Sequence, residues 1–296
     1  MIQVLVDGLV AASFIALGVI GLSLVYNILN FPSFAHGDHL TIGAYFALVV
    51  VLAIGTAGSI GVLTFGWPVI LAAFLAAILT GLVAQILDRA IYGPLRRKGS
   101  SRITLIIASF GVALMLRHVV VMFFGPDPVY YSFAIQPALR FWGIRITPNE
   151  LVVLGVTIVL VVWLHLFLSR TRLGKSMRAV AENPSLARVN GIDVDAVIRW
   201  TWLIGAGLAA IGGVLFGVAV GMQPFFGFEL LLPMFAALIV GGMTNIYGAI
   251  LGAVLIGIAE SITVKYFSAE YRQAVSFLAV ILVLMFRPQG LFGEKE

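Results

Sequence analysis

The chain has 296 residues, of which 61% are hydrophobic and 10% charged, with a mean hydropathy of +1.10 and a formal net charge of +5. Soluble domains carry roughly 25% charged residues, so a water-covered globule is excluded and lipid is the solvent this composition fits. The absence of cysteine excludes a disulfide framework and a thiolate metal site.

Apolar runs lie at about 5–29, 40–54, 67–91, 103–124, 150–168, 200–222, 230–243, 249–264 and 273–286. A spanning helix needs about 20 apolar residues. The pattern therefore predicts an all-α, polytopic transmembrane helical bundle of about 8–9 spans, without room for a separate catalytic domain. The start, MIQVLVDGLV, lacks a basic n-region and a small-residue cleavage site and reads as the first span. Runs 40–54 and 230–243 are short for a bilayer and read as half-spans or as helices buried among others.

The first break, NFPSFAHGDH from Asn30 to His39, sets Asn30, Ser33, His36, Asp38 and His39 between apolar runs. Two readings compete. One is an ordinary turn between spans. The other is a discontinuous helix, because backbone groups freed at Pro32 and Gly37 are tolerated in a membrane only against protein or a watery cavity. A metal site on His36 and His39 lacks an adjacent third ligand, so no metal is expected. A second break, Pro224 to Glu229, repeats the order proline, aromatic, glycine, acid; if the two are related, they mark a pathway.

Arg117 is a basic residue in the middle of an apolar run, and snorkelling outward past Phe124 competes with a functional role. Glu260 is the corresponding acid. The loop 125–149 carries Tyr130, Tyr131, Phe133, Phe141 and Trp142, as an interfacial aromatic belt or a docking surface would. Gly213, Gly217 and Gly221, with Gly248 and Gly252, have the spacing that lets backbones approach in lipid, in a bundle interior or a dimer seam.

The longest polar stretch is 173–192, LGKSMRAVAENPSLARVNGI. Asn183 suits an N-cap, Pro184 the first helical position and Gly191 a left-handed C-terminal cap, which writes a short helix over 184–190 after a helical stretch at 174–182. A helix that short is marginal alone and needs something to pack on. Leu186 and Val189 supply an apolar knob for its own membrane domain or, preferably, for a cytoplasmic partner. Gly174-Lys175-Ser176 imitates a phosphate loop, but Ser169 stands where the first glycine belongs and no strand precedes it, so nucleotide hydrolysis by this chain is not expected. No serine–histidine–acid set or paired carboxylate supports a catalytic residue.

Lys and Arg accumulate in short cytoplasmic loops. Nine crossings place thirteen of the 18 basic residues on one side, in clusters at 89–102, 170–199 and 287–295. That side is cytoplasmic, with the 169–199 loop and the C-terminus, and the N-terminus is external. Loop charge explains the positive balance without a nucleic-acid partner.

Four motifs then carry a resemblance. Gly174 to Pro184 with Ala187-Arg188 and Gly191-Ile192, Asn30-Phe31 with Ala35-His36-Gly37 and Gly43-Ala44-Tyr45, Gly241-Gly242 with Gly248-Ala249, and Arg287 to Gly293 resemble, in order, motifs of permeases in ABC importers for branched-chain amino acids. Pro32 and Ser33 are inserted in the amino-terminal motif, and Asp38 replaces a usual glutamate. Urea and short-chain amide permeases share most of these motifs, and a self-contained channel or ion-coupled carrier is the rival of another class. The resemblance implies one permease domain over 1–296, in a bacterial-type inner membrane and surrounded by lipid. It implies a second permease (homo- or heterodimer), two cytoplasmic ATPases, an external substrate-binding protein, and no cofactor of its own. It puts ATPase coupling on Gly174, Arg178, Glu182, Asn183, Pro184, Leu186, Ala187, Arg188 and Gly191. Asn30, His36, Gly37, Asp38, Gly241 and Gly242 would border the translocation path.

Overall fold

The computed structural model describes residues 1–55, 60–131, 136–141 and 143–292. Phe133, Trp142, Gly293 and Lys295 lie outside these. Among the described residues, eight helices are long and apolar enough to cross a membrane, and Phe226–Gly241 is a ninth, shorter apolar helix. The chain is thus a polytopic helical bundle.

In chain order the bundle comprises α1 (Ile2–Leu29), α2 (His36–Ile54) and α3 (Trp67–Leu87), the last continuing through a π-helical turn (Asp88–Tyr92) into α4 (Gly93–Arg97). There follow α5 (Arg102–Phe124), a β1–β2 hairpin (Leu139–Phe141, Ile144–Ile146), α6 (Pro148–Arg170), α7 (Arg172–Glu182) and α8 (Pro184–Val189). The rest is α9 (Val194–Ala219), α10 (Phe226–Gly241), α11 (Ile246–Tyr266) and α12 (Arg272–Phe286). Local chemistry sets several boundaries. Thr147 and Glu150 close a reciprocal capping box on α6, and Asp193 and Asn245 cap α9 and α11 through their side chains.

One end of the bundle joins the N-terminus to the 125–149 loop. Gln3 donates to the Arg145 carbonyl at 2.9 Å and accepts from its N–H at 2.7 Å, and Val129 pairs with Met222. Tyr131 is buried beneath that end and donates to the Ala44 carbonyl at 2.6 Å; desolvation pushes its phenol well above the ordinary value, so it stays a neutral donor. At the opposite end lie α7, α8, the α10–α11 turn and the terminal segment. There Leu291 and Phe292 donate to the Val240 and Gly241 carbonyls at 2.8 and 3.1 Å, tying the segment across the turn.

Backbone contact holds the interior, because lipid offers helices no hydrophobic reward for associating and small residues let them close. A Cβ on Gly21 would collide with the Gly205 carbonyl, one on Gly213 with Leu40, and one on Gly241 with Gly248. Gly217 and Gly221 accommodate the Tyr131 and Tyr130 rings, and Gly252 meets Ala237. The glycine series therefore serves the interior of this chain, and the dimer-seam alternative falls.

Two expectations are refined. Run 40–54 starts earlier, at His36, and gains a 19-residue span; run 230–243 is α10, with 16 residues and Pro233 inside. The 30–39 break separates α1, which ends at Leu29, from α2, which starts at His36. It is a buried break, since Phe31, Ser33 and Ala35 are fully enclosed.

Gly213→Leu is expected to abolish recovery of folded protein by size-exclusion chromatography, since overpacking costs about 1–3 kcal/mol for smaller intrusions. Gly111→Ala, where an added Cβ meets nothing, should leave it unchanged.

Candidate functional site

The two similar breaks meet. Gly37 and Gly227, each the second residue of its helix, touch main chain to main chain, and a Cβ on either would strike the other's carbonyl. Thr41 accepts a hydrogen bond from the Gly227 N–H at 3.2 Å, so one of the otherwise unpaired donors that begin α10 is satisfied by α2.

A buried ion pair lies against this junction. Arg117 of α5 donates through Nε and a terminal nitrogen to the two carboxylate oxygens of Asp38, at 3.1 and 3.2 Å. The residues are 5% and 1% exposed. The guanidinium also lies over the Phe228 ring, 4.1 Å from its centroid, with Phe225 at 5.8 Å. Arg117 therefore turns inward, and the outward snorkelling expected for it is corrected. An aligned carboxylate and an aromatic face replace the lost hydration. Glu260 is likewise inward, accepting from Ser276 Oγ at 2.7 Å, with Arg272 more distant at 3.9 Å.

Beneath the pair, His36 and His39 face each other edge-on with centroids 5.7 Å apart, and His39 meets Trp202 at 6.1 Å. All three are enclosed, and among the described residues the ring nitrogens of His39 and Trp202 find no hydrogen-bond partner. Asn30 stays at the surface as the left-handed C-cap of α1. Gly241 and Gly242 lie elsewhere: Gly241 packs on Gly248, and Gly242, at φ +109°, makes the turn into α11. The path candidates thus form two groups, one at the α2–α10 junction and one at the α10–α11 turn.

The third group is the polar segment. Asn183 Oδ1 accepts from the Ser185 and Leu186 N–H groups at 3.0 Å, Pro184 opens α8, and Gly191 closes it at φ +81°. Gly174 lets α7 pass tightly over the end of α6, where a Cβ would approach Leu168 Cα at 2.5 Å. Val180, Met177 and Ala187 are buried and seat the segment on the bundle, while Leu186 and Val189 are 59% and 85% exposed. Arg178 and Glu182 line a cleft of about 530 Å³, walled across by Asn27, Asn245 and Phe292. Sequence reasoning located this segment and the two breaks. It missed that Arg117 partners Asp38, although a cation inside one apolar run and an acid in the break before another were the available signal.

Residues 4–284 match the model of the branched-chain amino acid transport system / permease component family. The chain is 34% identical to the high-affinity branched-chain amino acid transport system permease protein BraD of Pseudomonas aeruginosa, covering 100% of this chain and 96% of that one. It is 32% identical, with the same coverage, to the corresponding permease protein LivH of Escherichia coli. Among solved structures it resembles PsaBC from Streptococcus pneumoniae in complex with Fab, with a TM-score of 0.53 and 14% identity over 98% of this chain and 92% of that one. That likeness concerns the fold alone.

Removing one partner of a buried pair costs about 3–5 kcal/mol, because the other charge is left unmatched. Asp38→Asn and Arg117→Gln should each lower the thermal unfolding midpoint in detergent strongly. The double variant should recover a large part of the loss; additive losses would mean that the two groups act independently.

Proposed function

This chain belongs to the family of permease components of branched-chain amino acid transport systems, and on that premise we propose that it forms the translocation path for branched-chain amino acids in an ATP-driven importer. The observation that carries this reading is the end-to-end likeness to permeases of that transport class, at 34% and 32% identity. Residues 1–296 act as one permease domain in the cytoplasmic membrane, beside a second permease, and receive substrate from an external binding protein.

Energy enters through the polar segment. The exposed Leu186 and Val189, carried on a helix capped at both ends, present an apolar knob to a cytoplasmic ATPase, and Glu182 to Arg188 form the contact. Met177, Val180 and Ala187 tie that helix to the bundle, so a push on α8 is transmitted to α6, α9 and the cleft behind α7. The segments 30–39 and 241–248 border the path, and both sit where α10 is held, against α2 and α11. This chain supplies the moving wall, and hydrolysis belongs to its partners.

The concentration of basic residues at the α7–α8 end supports a cytoplasmic placement of that end, with the N-terminus and the 125–149 loop outside. A urea or short-chain amide permease is the alternative within the class. A self-contained carrier is the alternative outside it, and the internal pairing of Asp38 with Arg117 weighs against Asp38 as a free ion-coupling acid.

Reconstituted with its partner subunits, the complex should take up labelled leucine when supplied with ATP, and urea or glutamate poorly; uptake at the same rate without ATP would overturn the importer reading. The variants Leu186→Asp/Val189→Asp and Glu182→Lys/Pro184→Ala should fold, yet lose retention of the ATPases in pull-downs and most ATP-driven uptake. Wild-type transport by both would remove α8 as the coupling contact.

A further inference from the structure

A second basic feature lies beside the coupling contact and shares Arg188 with it. Where α3 runs through its π-helical turn into α4, a cavity of about 400 Å³ opens toward the start of α9 and the flank of α8. Arg89, Arg96, Arg97, Arg188 and Arg199 line it, and its acids are Asp88 and Asp195. Asp88 is already committed, gripping Arg96 through both oxygens at 2.7 and 3.0 Å. Arg199 reaches Asp193 at 3.6 Å in an exposed contact. Arg89, Arg97 and Arg188 hold no ion pair among the described residues. They bring three guanidiniums, two from one continuous helix and one from α8, around one concavity.

Such a gathering of like charge is unfavourable unless an anion resides there. Guanidinium forks fit the oxygens of a phosphate better than they fit a lone carboxylate at this spacing. The floor is kept open by Gly93, where a Cβ would lie 2.9 Å from the Asp88 carbonyl oxygen. A π-turn widens a helix by a residue and is frequently found at a working site.

Depth identifies the source of the phosphate. Asp88 lies 21 residues beyond Trp67, or about 31 Å along a helix, which is a hydrocarbon thickness. The cavity is therefore level with the headgroups. Ile86 and Leu82, three and seven residues before Arg89 on α3, are 62% and 44% exposed, as acyl-facing side chains would be. Trp200, beside Arg199, is 46% exposed at the level where interfacial tryptophans sit. Basic pockets between helices on that side of a membrane suit anionic headgroups.

We propose that this cavity binds the phosphate of an anionic phospholipid, bridging α3, α4 and Arg188 of α8. The lipid would fasten the flank of α8 to the membrane surface while Leu186 and Val189, which do not line the cavity, stay available. The inference needs only that the chain spans a membrane, and its readout is independent of transport.

The test uses the purified full chain in detergent micelles doped with phosphatidylglycerol, with phosphatidylcholine, or with inorganic phosphate alone, read by native mass spectrometry and thermal unfolding. Phosphatidylglycerol should be retained, should raise the unfolding midpoint, and should lose both effects in high salt. Arg89→Gln/Arg97→Gln should weaken its retention roughly thirtyfold for two interfacial charges, and Arg89→Lys/Arg97→Lys should restore part of it. Should the double variant not fold, Arg188→Gln on the surface helix gives the same reading. Equal retention of phosphatidylglycerol by folded charge-removed variants would overturn the site. Equal retention of phosphatidylcholine, or full displacement by millimolar inorganic phosphate, would overturn the lipid assignment.

Discussion

Two glycines touching main chain to main chain, Gly37 of α2 and Gly227 of α10, set most of what surrounds them. Their contact lets two helices begin inside the bundle at the same depth, so unpaired donors and an acid arrive together in a place without water. Thr41 then reaches the Gly227 N–H, and the Phe225–Phe228 stretch comes to lie over Arg117. The guanidinium cannot remain there unless its charge is matched, and Asp38 is on the adjacent turn of α2 to match it. A side chain at either glycine would separate the helices and leave both charges exposed to hydrocarbon. The ion pair is thus a consequence of close backbone packing as much as a cause of it.

The far end of the molecule is organised on another principle. The helices α7 and α8 there are short and polar, and side-chain caps hold them in addition to the tight passage at Gly174. Asn183 and Gly191 define α8, Thr171 caps α7, and the terminal segment lies across the α10–α11 turn with Asn245 donating to the Phe292 carbonyl. The cleft between Arg178, Glu182 and Phe292 separates two parts, each anchored to different spans. A bundle fixed by glycine contacts has a capped, gapped surface at this end.

What the sequence disclosed follows the range of each interaction. The short helix predicted at 184–190 is found at Pro184–Val189 because its signals are adjacent residues, Asn183-Pro184 and Gly191, acting on their own backbone. The spans are legible because hydrocarbon imposes length and apolarity on each independently. The Asp38–Arg117 pair joins residues 79 positions apart, and Ser276 reaches Glu260 across a turn between helices. Helices that are apolar on every side leave no stripe from which to read their partners. The resemblance between the two breaks hinted at a relation; their direct contact needed three dimensions. The π-turn at 88–92 and the depth of the 30–35 break carried no readable signal either.

The sixteen residues of α10 reach about 24 Å, less than a hydrocarbon thickness. A bilayer positions an ordinary span by holding it at both interfaces, through aromatic rings and charges at its two ends. Both ends of α10 are held by protein: Gly227 meets Gly37 of α2, and Gly241 meets Gly248 of α11. Membrane thickness therefore does not register its height, which belongs entirely to its neighbours: α2 at the start, α11 and the terminal segment at the finish. In mechanical terms it is a strut pinned between two parts of the chain.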